Sequence, residues 1–158
     1  MKLRPKDNQT VHKIYTPTFY HEQQNYSLNS ARIIVPLILD VFSVKSVVDI
    51  GCGVGTWMSV FLENGITDIK GFDVSDLPEE YYFADKQRIT TGYDFSSGNL
   101  DFNVKAEMAI CLEVAEHLSE SVSDNLIHSL VSVAPVVIFS AAFPGQTGVN
   151  HINEQPPW

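Results

Sequence analysis

Residues 47–57 read VVDIGCGVGTW. The β-branched run from Ser46 to Ile50 stops on glycine, and glycines then recur at Gly51, Gly53 and Gly55 before an apolar stretch resumes at Thr56. A buried strand ends at such a run and a helix starts only after it, so the backbone has to turn sharply between the two. Glycine permits positive φ and close approach of a ligand to the main chain. The helix that follows presents unpaired N–H groups toward the same spot. The stretch therefore predicts a strand, a ligand-holding loop and a helix, in that order.

The rest of the chain repeats this alternation. Ile34, Val35, Ile38, Leu39 and Phe42 recur at three- and four-residue steps and predict a helix from about Ser27 to Phe42, capped by Ser27 or Ser30 and interrupted or kinked at Pro36. A helix over Thr56 to Glu63, with Trp57, Val60 and Phe61 inward, stops at Asn64-Gly65. Further strands are predicted at Ile69–Val74, weakly at Arg88–Tyr93, at Ala106–Leu112 and at Val136–Ala141, while Leu77–Asp85 is ambiguous. Ser119 to Ala134 reads as an amphipathic helix with Val122, Leu126, Ile127, Leu130 and Val131 inward. The pattern implies an α/β, Rossmann-like, doubly wound and mainly parallel sheet of about five strands with helices on both faces. Residues 1–18 are expected to form an N-terminal arm, and residues 19–158 a single domain.

In an open parallel sheet a ligand sits at the carboxyl ends of the strands, by the switch point. A dinucleotide fingerprint is G-x-G-x-x-G, with the pyrophosphate on the helix N-terminus. Here the glycines alternate, and Asp49 stands two residues before the first of them. A carboxylate repels a pyrophosphate and attracts the ammonium group of a methionine moiety. The acid thus disfavours NAD, and with it an oxidoreductase, and favours a cationic cofactor such as S-adenosylmethionine (SAM).

Asp49-Ile50-Gly51-Cys52-Gly53-Val54-Gly55 resembles the first motif of the class I SAM-dependent methyltransferases, D/E-x-G-x-G-x-G, and the resemblance runs from about Phe42 to Phe143. It implies that Asp49, Gly51, Gly53 and Gly55 hold the cofactor. It also implies that Asp73, with Val74 beside it in GFDVSD, takes the ribose hydroxyls; Asp76 is the alternative acid. By the same resemblance Asp94-Phe95 touches the adenine edge. ICLEVAEHL, residues 110–118, is similar to the segment after the fourth strand in small-molecule methyltransferases, which puts Glu113 near the methionine end. The implied function is transfer of a methyl group from SAM, leaving S-adenosylhomocysteine, to a small-molecule acceptor by in-line displacement. The alternative is an inactive or truncated SAM-binding module that acts through protein interaction.

Such a displacement needs mainly proximity and alignment, and a base only for a hydroxyl or a protonated amine. His117 and His151 are the candidates for that base. Tyr20, Tyr26 and the first helix are expected to line the acceptor pocket, as N-terminal segments of the family fold over the cofactor. A metal site built from His117, His151 and Glu154 matches no known ligand spacing, so no metal is expected.

A complete domain of this family has seven strands. The chain reaches HINEQPPW just after the fifth, so the final antiparallel hairpin is expected to be absent and the sequence to be a truncated piece. HINEQ itself resembles the loop after the fifth strand in some stand-alone methyltransferase-like proteins. An uncovered fifth strand predicts a homodimer through the exposed sheet edge. The formal net charge of -9 disfavours nucleic acid and anionic membranes as partners. Two cysteines, Cys52 and Cys111, and the lack of a long apolar run or a leader fit a cytoplasmic protein.

Overall fold

The computed structural model of the protein describes residues 17–98 and 100–156, with side chains from Tyr26 onward. The sheet has five strands: β1 (Ser46–Ile50), β2 (Asp68–Phe72), β3 (Ile89–Thr90), β4 (Met108–Leu112) and β5 (Val136–Ser140). Every pairing is parallel and the spatial order is β3-β2-β1-β4-β5. The chain winds outward from β1 in one direction, then returns to its other side as β4. The switch point therefore lies between β1 and β4, with the glycine loop at its mouth.

Among the described residues three α-helices flank the sheet: α1 (Pro17–Val41), α2 (Thr56–Glu63) and α3 (Glu120–Val133). Side chains alternate across a strand, so Val47 joins one core layer and Val48 the other. The first layer gathers Ala31, Val35 and Ile38 of α1 and Met58, Val60 and Phe61 of α2 over Val47, Ile69, Met108 and Ile110. The second covers Val48, Ile50, Ala109 and Cys111 with Leu126, Leu130 and Val133 of α3.

A helix alone does not cover that second face. Phe95, Leu100 and Phe102, from the long connection between β3 and β4, complete it. Their aromatic rings interlock: Tyr93 stacks on Phe102 at 5.1 Å and meets Phe95 and Phe72 edge-on. This apolar connection does the work of a crossover helix although its only helical turn among the described residues is the 3-10 turn at Phe95–Ser97.

Several boundaries differ from the sequence reading. The first helix opens at Pro17 and runs through Pro36 as one element, so Ser27 and Ser30 lie inside it and cap nothing. Proline suits a first helical position because its missing N–H is one no helix could pair. The expected arm falls outside the described residues except at 17 and 18, which are helical. Ile34 and Phe42 are exposed, as are Ile127 and Val131, which were expected inward. On both helices the buried stripe is narrower than the apolar one. β3 shrinks to two residues between a 3-10 turn at Lys86–Arg88 and the left-handed Gly92. The ambiguous segment yields only a 3-10 turn at Glu79–Tyr81. No helix among the described residues is long and apolar enough to cross a membrane.

Candidate functional site

All three loop glycines adopt positive φ: 78° at Gly51, 55° at Gly53 and 76° at Gly55. The reasons differ. A Cβ at Gly51 would stand 2.3 Å from Val114 Cγ2, and one at Gly55 would stand 3.0 Å from the Ala84 Cβ. A Cβ at Gly53 would meet nothing within 4 Å. Gly51 and Gly55 are thus needed for packing, whereas Gly53 opens onto free space at the mouth of the loop.

The loop is fixed before any ligand arrives. Gly51 and Cys52 N–H both donate to the Phe72 carbonyl, at 2.8 and 3.1 Å. The Gly53 N–H donates to Asp73 Oδ2 at 2.7 Å, and the Ser75 N–H to Asp73 Oδ1 at 2.8 Å. Asp73 therefore ties the tip of β2 to the loop of β1, and each of its oxygens keeps lone-pair capacity for a hydroxyl. Asp76, the alternative acid, is exposed and pairs with Lys86 at 2.7 Å.

Asp49 and Asp73 are only 4% and 7% exposed. Burial pushes the Asp49 carboxyl well above the usual carboxylate range, and the nearby Asp73 adds to it. Burial also raises Asp73, against the lowering effect of the Ser75 and Gly53 N–H groups. Among the described residues, no cationic side chain is among the groups acting on either acid. The site thus holds two buried acids that a positive charge would stabilise and a pyrophosphate would not. The residues fit a cofactor with a cationic amino-acid end.

Val74 is exposed beside Asp73. Asp94 caps the 3-10 turn at Phe95–Ser97, its Oδ1 accepting from the Ser96 N–H and hydroxyl at 2.9 and 2.6 Å. The Phe95 ring packs inside the aromatic cluster, so its side chain serves the core. Tyr26 is 80% exposed on α1, and the Tyr20 side chain lies outside the described residues. Cys52 and Cys111 are buried free thiols whose ionisation burial suppresses.

The segment after β4 forms the second half of the site. Glu113 has φ 57°, a left-handed conformation that costs a non-glycine residue about 1–2 kcal/mol. Its N–H donates to the Ser140 carbonyl at 3.0 Å, and its Oε1 accepts from the Ser140 hydroxyl at 2.8 Å. Those two bonds hold the kink against β5. Val114 then packs on Gly51, and a 3-10 turn at Ala115–His117 follows. The sequence-predicted residues Glu113, His117 and His151 are thereby brought to the same end of the sheet as the glycine loop.

His151 arrives from far along the chain. The Ile152 and Asn153 N–H groups both donate to the Glu116 carbonyl, at 2.9 and 3.1 Å, and Asn153 Nδ2 donates to Ser123 Oγ at 2.9 Å. These bonds lay HINEQ across the turn, with the His117 and His151 ring centroids 5.1 Å apart. Burial holds the His117 imidazole below the usual histidine value; the Asn150 carbonyl opposes this and His151 adds to it. Glu116, which the sequence groups with Glu113 and His117 in one polar cluster without a role of its own, is fully buried beside them. Burial raises its carboxyl, its own N–H lowers it, and the Glu113 charge raises it again.

The methyltransferase-domain family matches residues 20–138. Among solved structures, the methyltransferase domain of bacterial CtHen1 is 28% identical, covers 70% of this chain and 65% of its own, and superposes with a TM-score of 0.50. DesVI of Streptomyces venezuelae is 17% identical over 92% of this chain and 62% of its own, with a TM-score of 0.60. The magnesium protoporphyrin IX methyltransferase of Synechocystis PCC 6803, solved with SAM bound, is 24% identical over 73% and 55%, with a TM-score of 0.51. The latter two likenesses concern the fold. The chain spans roughly three fifths of the length of these relatives. No curated protein sequence matches it.

Proposed function

Because the chain belongs to the methyltransferase-domain family, we propose that it binds SAM in the glycine loop and transfers the methyl group to a small-molecule acceptor. The observation that carries this reading is the open space over left-handed Gly53, bordered by two buried acids with no cation of their own. SAM supplies a methyl group on a positively charged sulfur, which leaves as a neutral thioether.

The protein's part is binding and alignment. Asp73 offers its remaining lone pairs to the ribose hydroxyls, and Val74 gives an apolar contact next to them. The loop backbone and Asp49 favour the cationic amino-acid end. Asp94 and the Phe95 backbone stand where the adenine edge would lie. Glu113, fixed by Ser140, borders the methionine end. His117 and His151 lie beyond it and are the groups positioned to take a proton from a hydroxyl acceptor. We further infer that two copies associate through the β5 edge.

Calorimetry with SAM, S-adenosylhomocysteine and NAD tests the cofactor. The expected result is binding of the first two and none of NAD. Gly53→Ala should weaken SAM at least tenfold, since its methyl group enters the ligand's space, and cost only about 1 kcal/mol of stability. Gly51→Ala should instead destabilise by about 3 kcal/mol through its overlap with Val114. NAD binding, or SAM binding unchanged in Gly53→Ala, defeats the reading. A screen of small hydroxyl and amine acceptors then separates an enzyme from a binding module without turnover.

A further inference from the structure

Glu116 is fully buried, yet neither of its carboxylate oxygens makes a hydrogen bond of ordinary geometry, although its own N–H and that of Ala142 act on the carboxyl. A buried acid so poorly paired is among the more costly arrangements a fold can hold. It does not stand alone: one ligand atom each from Glu116, His117 and His151 lie within 4.8 Å of one another.

The two imidazoles are oriented alike. His117 Nδ1 lies 3.3 Å from the Asn150 carbonyl, and His151 Nδ1 lies 3.0 Å from Glu154 Oε1. Both oxygens are acceptors, so in the neutral ring each Nδ1 carries the proton and each Nε2 is left with the lone pair. Asn150 is itself left-handed, at φ 60°, and that conformation aims its carbonyl. Glu154 is held in turn by the Gly145 N–H at 2.9 Å. A histidine backed by a carboxylate or carbonyl through Nδ1 is the usual outer support of a metal ligand. Three groups able to ligate a cation thus converge with no cationic side chain beside them among the described residues.

Gly148 bears on the same ring. Its φ is not left-handed, so its backbone does not require glycine. A Cβ built there would fall 2.2 Å from both His151 Nε2 and Cε1 and 2.7 Å from Cδ2, over the face of the ring. The absence of a side chain at Gly148 lets the His151 imidazole lie against the backbone, which fixes the direction of its Nε2 lone pair.

We propose that Glu116, His117 and His151 bind a divalent first-row transition cation, with Glu154 and the Asn150 carbonyl as its outer support. Two imidazoles and one carboxylate suit Zn²⁺, Co²⁺, Fe²⁺ or Mn²⁺; Mg²⁺ and Ca²⁺ favour all-oxygen sets. Three protein ligands leave coordination positions open for water or an acceptor oxygen. Coordination does not depend on the cofactor reading. Only the role does: Val114 links this turn to Gly51, so the ion would stand on the acceptor side of the methyl donor, and with both imidazole lone pairs engaged it would replace the two histidines as the activating group by lowering the pKa of a bound hydroxyl.

The test uses metal-stripped, tag-free protein titrated with Co²⁺, followed by its visible absorption, and with Zn²⁺ in competition. One equivalent should bind. Glu116→Gln, His151→Ala and Gly148→Ala should each weaken binding more than tenfold, and Glu154→Gln by about 10–100-fold. Without metal, Glu116→Gln should melt no lower than wild type, which a merely structural carboxylate would not allow. No stoichiometric uptake, or equal uptake by the variants, overturns the proposal. Should Glu116→Gln fail to fold, Gly148→Ala and His151→Ala decide. SAM calorimetry on the same samples keeps the two readings apart: metal uptake without SAM binding sinks only the cofactor, and the reverse sinks only the metal.

Discussion

Asp49 and Asp73 carry the most information of any residues in the first half of the site. Both carboxyls are raised above the values they have in an unfolded chain, chiefly by burial. The folded state therefore binds protons more tightly than the unfolded one, and stability without ligand falls as pH rises from the ordinary carboxylate value through the raised one. A cationic ligand favours the ionised form, so SAM affinity should rise over the same window. Melting curves from about pH 4.5 to 8 should show the stabilisation by SAM growing with pH. Asp49→Asn should flatten that trend and raise the melting temperature of the unliganded protein. A SAM-induced shift independent of pH in wild type would count against the pair acting as a cation site. Asp49 and Asp73 were legible in the sequence because each stands at a strand end next to glycine or in a short motif. Glu116 was not. Its partner His151 comes from a separate loop, and spacing along the chain cannot disclose a neighbour made by the fold. Glu154, weighed as a ligand from sequence, stands behind His151 instead.

At the scale of elements, strands β1, β4 and β5 and helix α2 were readable because their apolar runs are continuous and bounded by glycine, asparagine or polar turns. The start of α1 was not, since the apolar stripe begins well after Pro17 and a helix, once nucleated, extends through polar residues at little cost. The β3–β4 connection hid its role for another reason. Its Tyr93, Phe95, Leu100 and Phe102 have no period, and only tertiary packing turns them into a wall of the core. The orientation of α1 can be tested directly. Val35 is fully buried against the sheet, whereas Ile33 lies on the outer side with Leu37 and Val41. Val35→Ala should cost about 2 kcal/mol and Ile33→Ala less than about 0.5 kcal/mol in urea unfolding. Equal costs would mean that the helix is rotated from the position described.

For the whole molecule, the open question is what happens at β5. It pairs only with β4 among the described residues, and its sequence, VVIFS, has no charge, proline or glycine to blunt the free edge. Phe139 is 42% exposed there. Edges of this kind are normally protected, and the partner always available at high concentration is a second copy of the same strand. Two β5 strands meeting antiparallel about a two-fold axis would satisfy each other's backbone groups in an isologous interface. Against this stands repulsion between two chains of formal charge -9 each. Salt decides between the effects: the Debye length falls from about 30 Å at 0.01 M to about 8 Å at 0.15 M, whereas strand pairing and apolar burial are hardly weakened. The dimer should therefore tighten as salt is added, opposite to an association driven by complementary charge. Sedimentation velocity across protein concentration, at low and high salt, should show a monomer–dimer equilibrium shifting toward dimer at high salt, and Phe139→Lys should stay monomeric throughout. A wild-type monomer at every concentration and salt would remove the edge as an interface between copies.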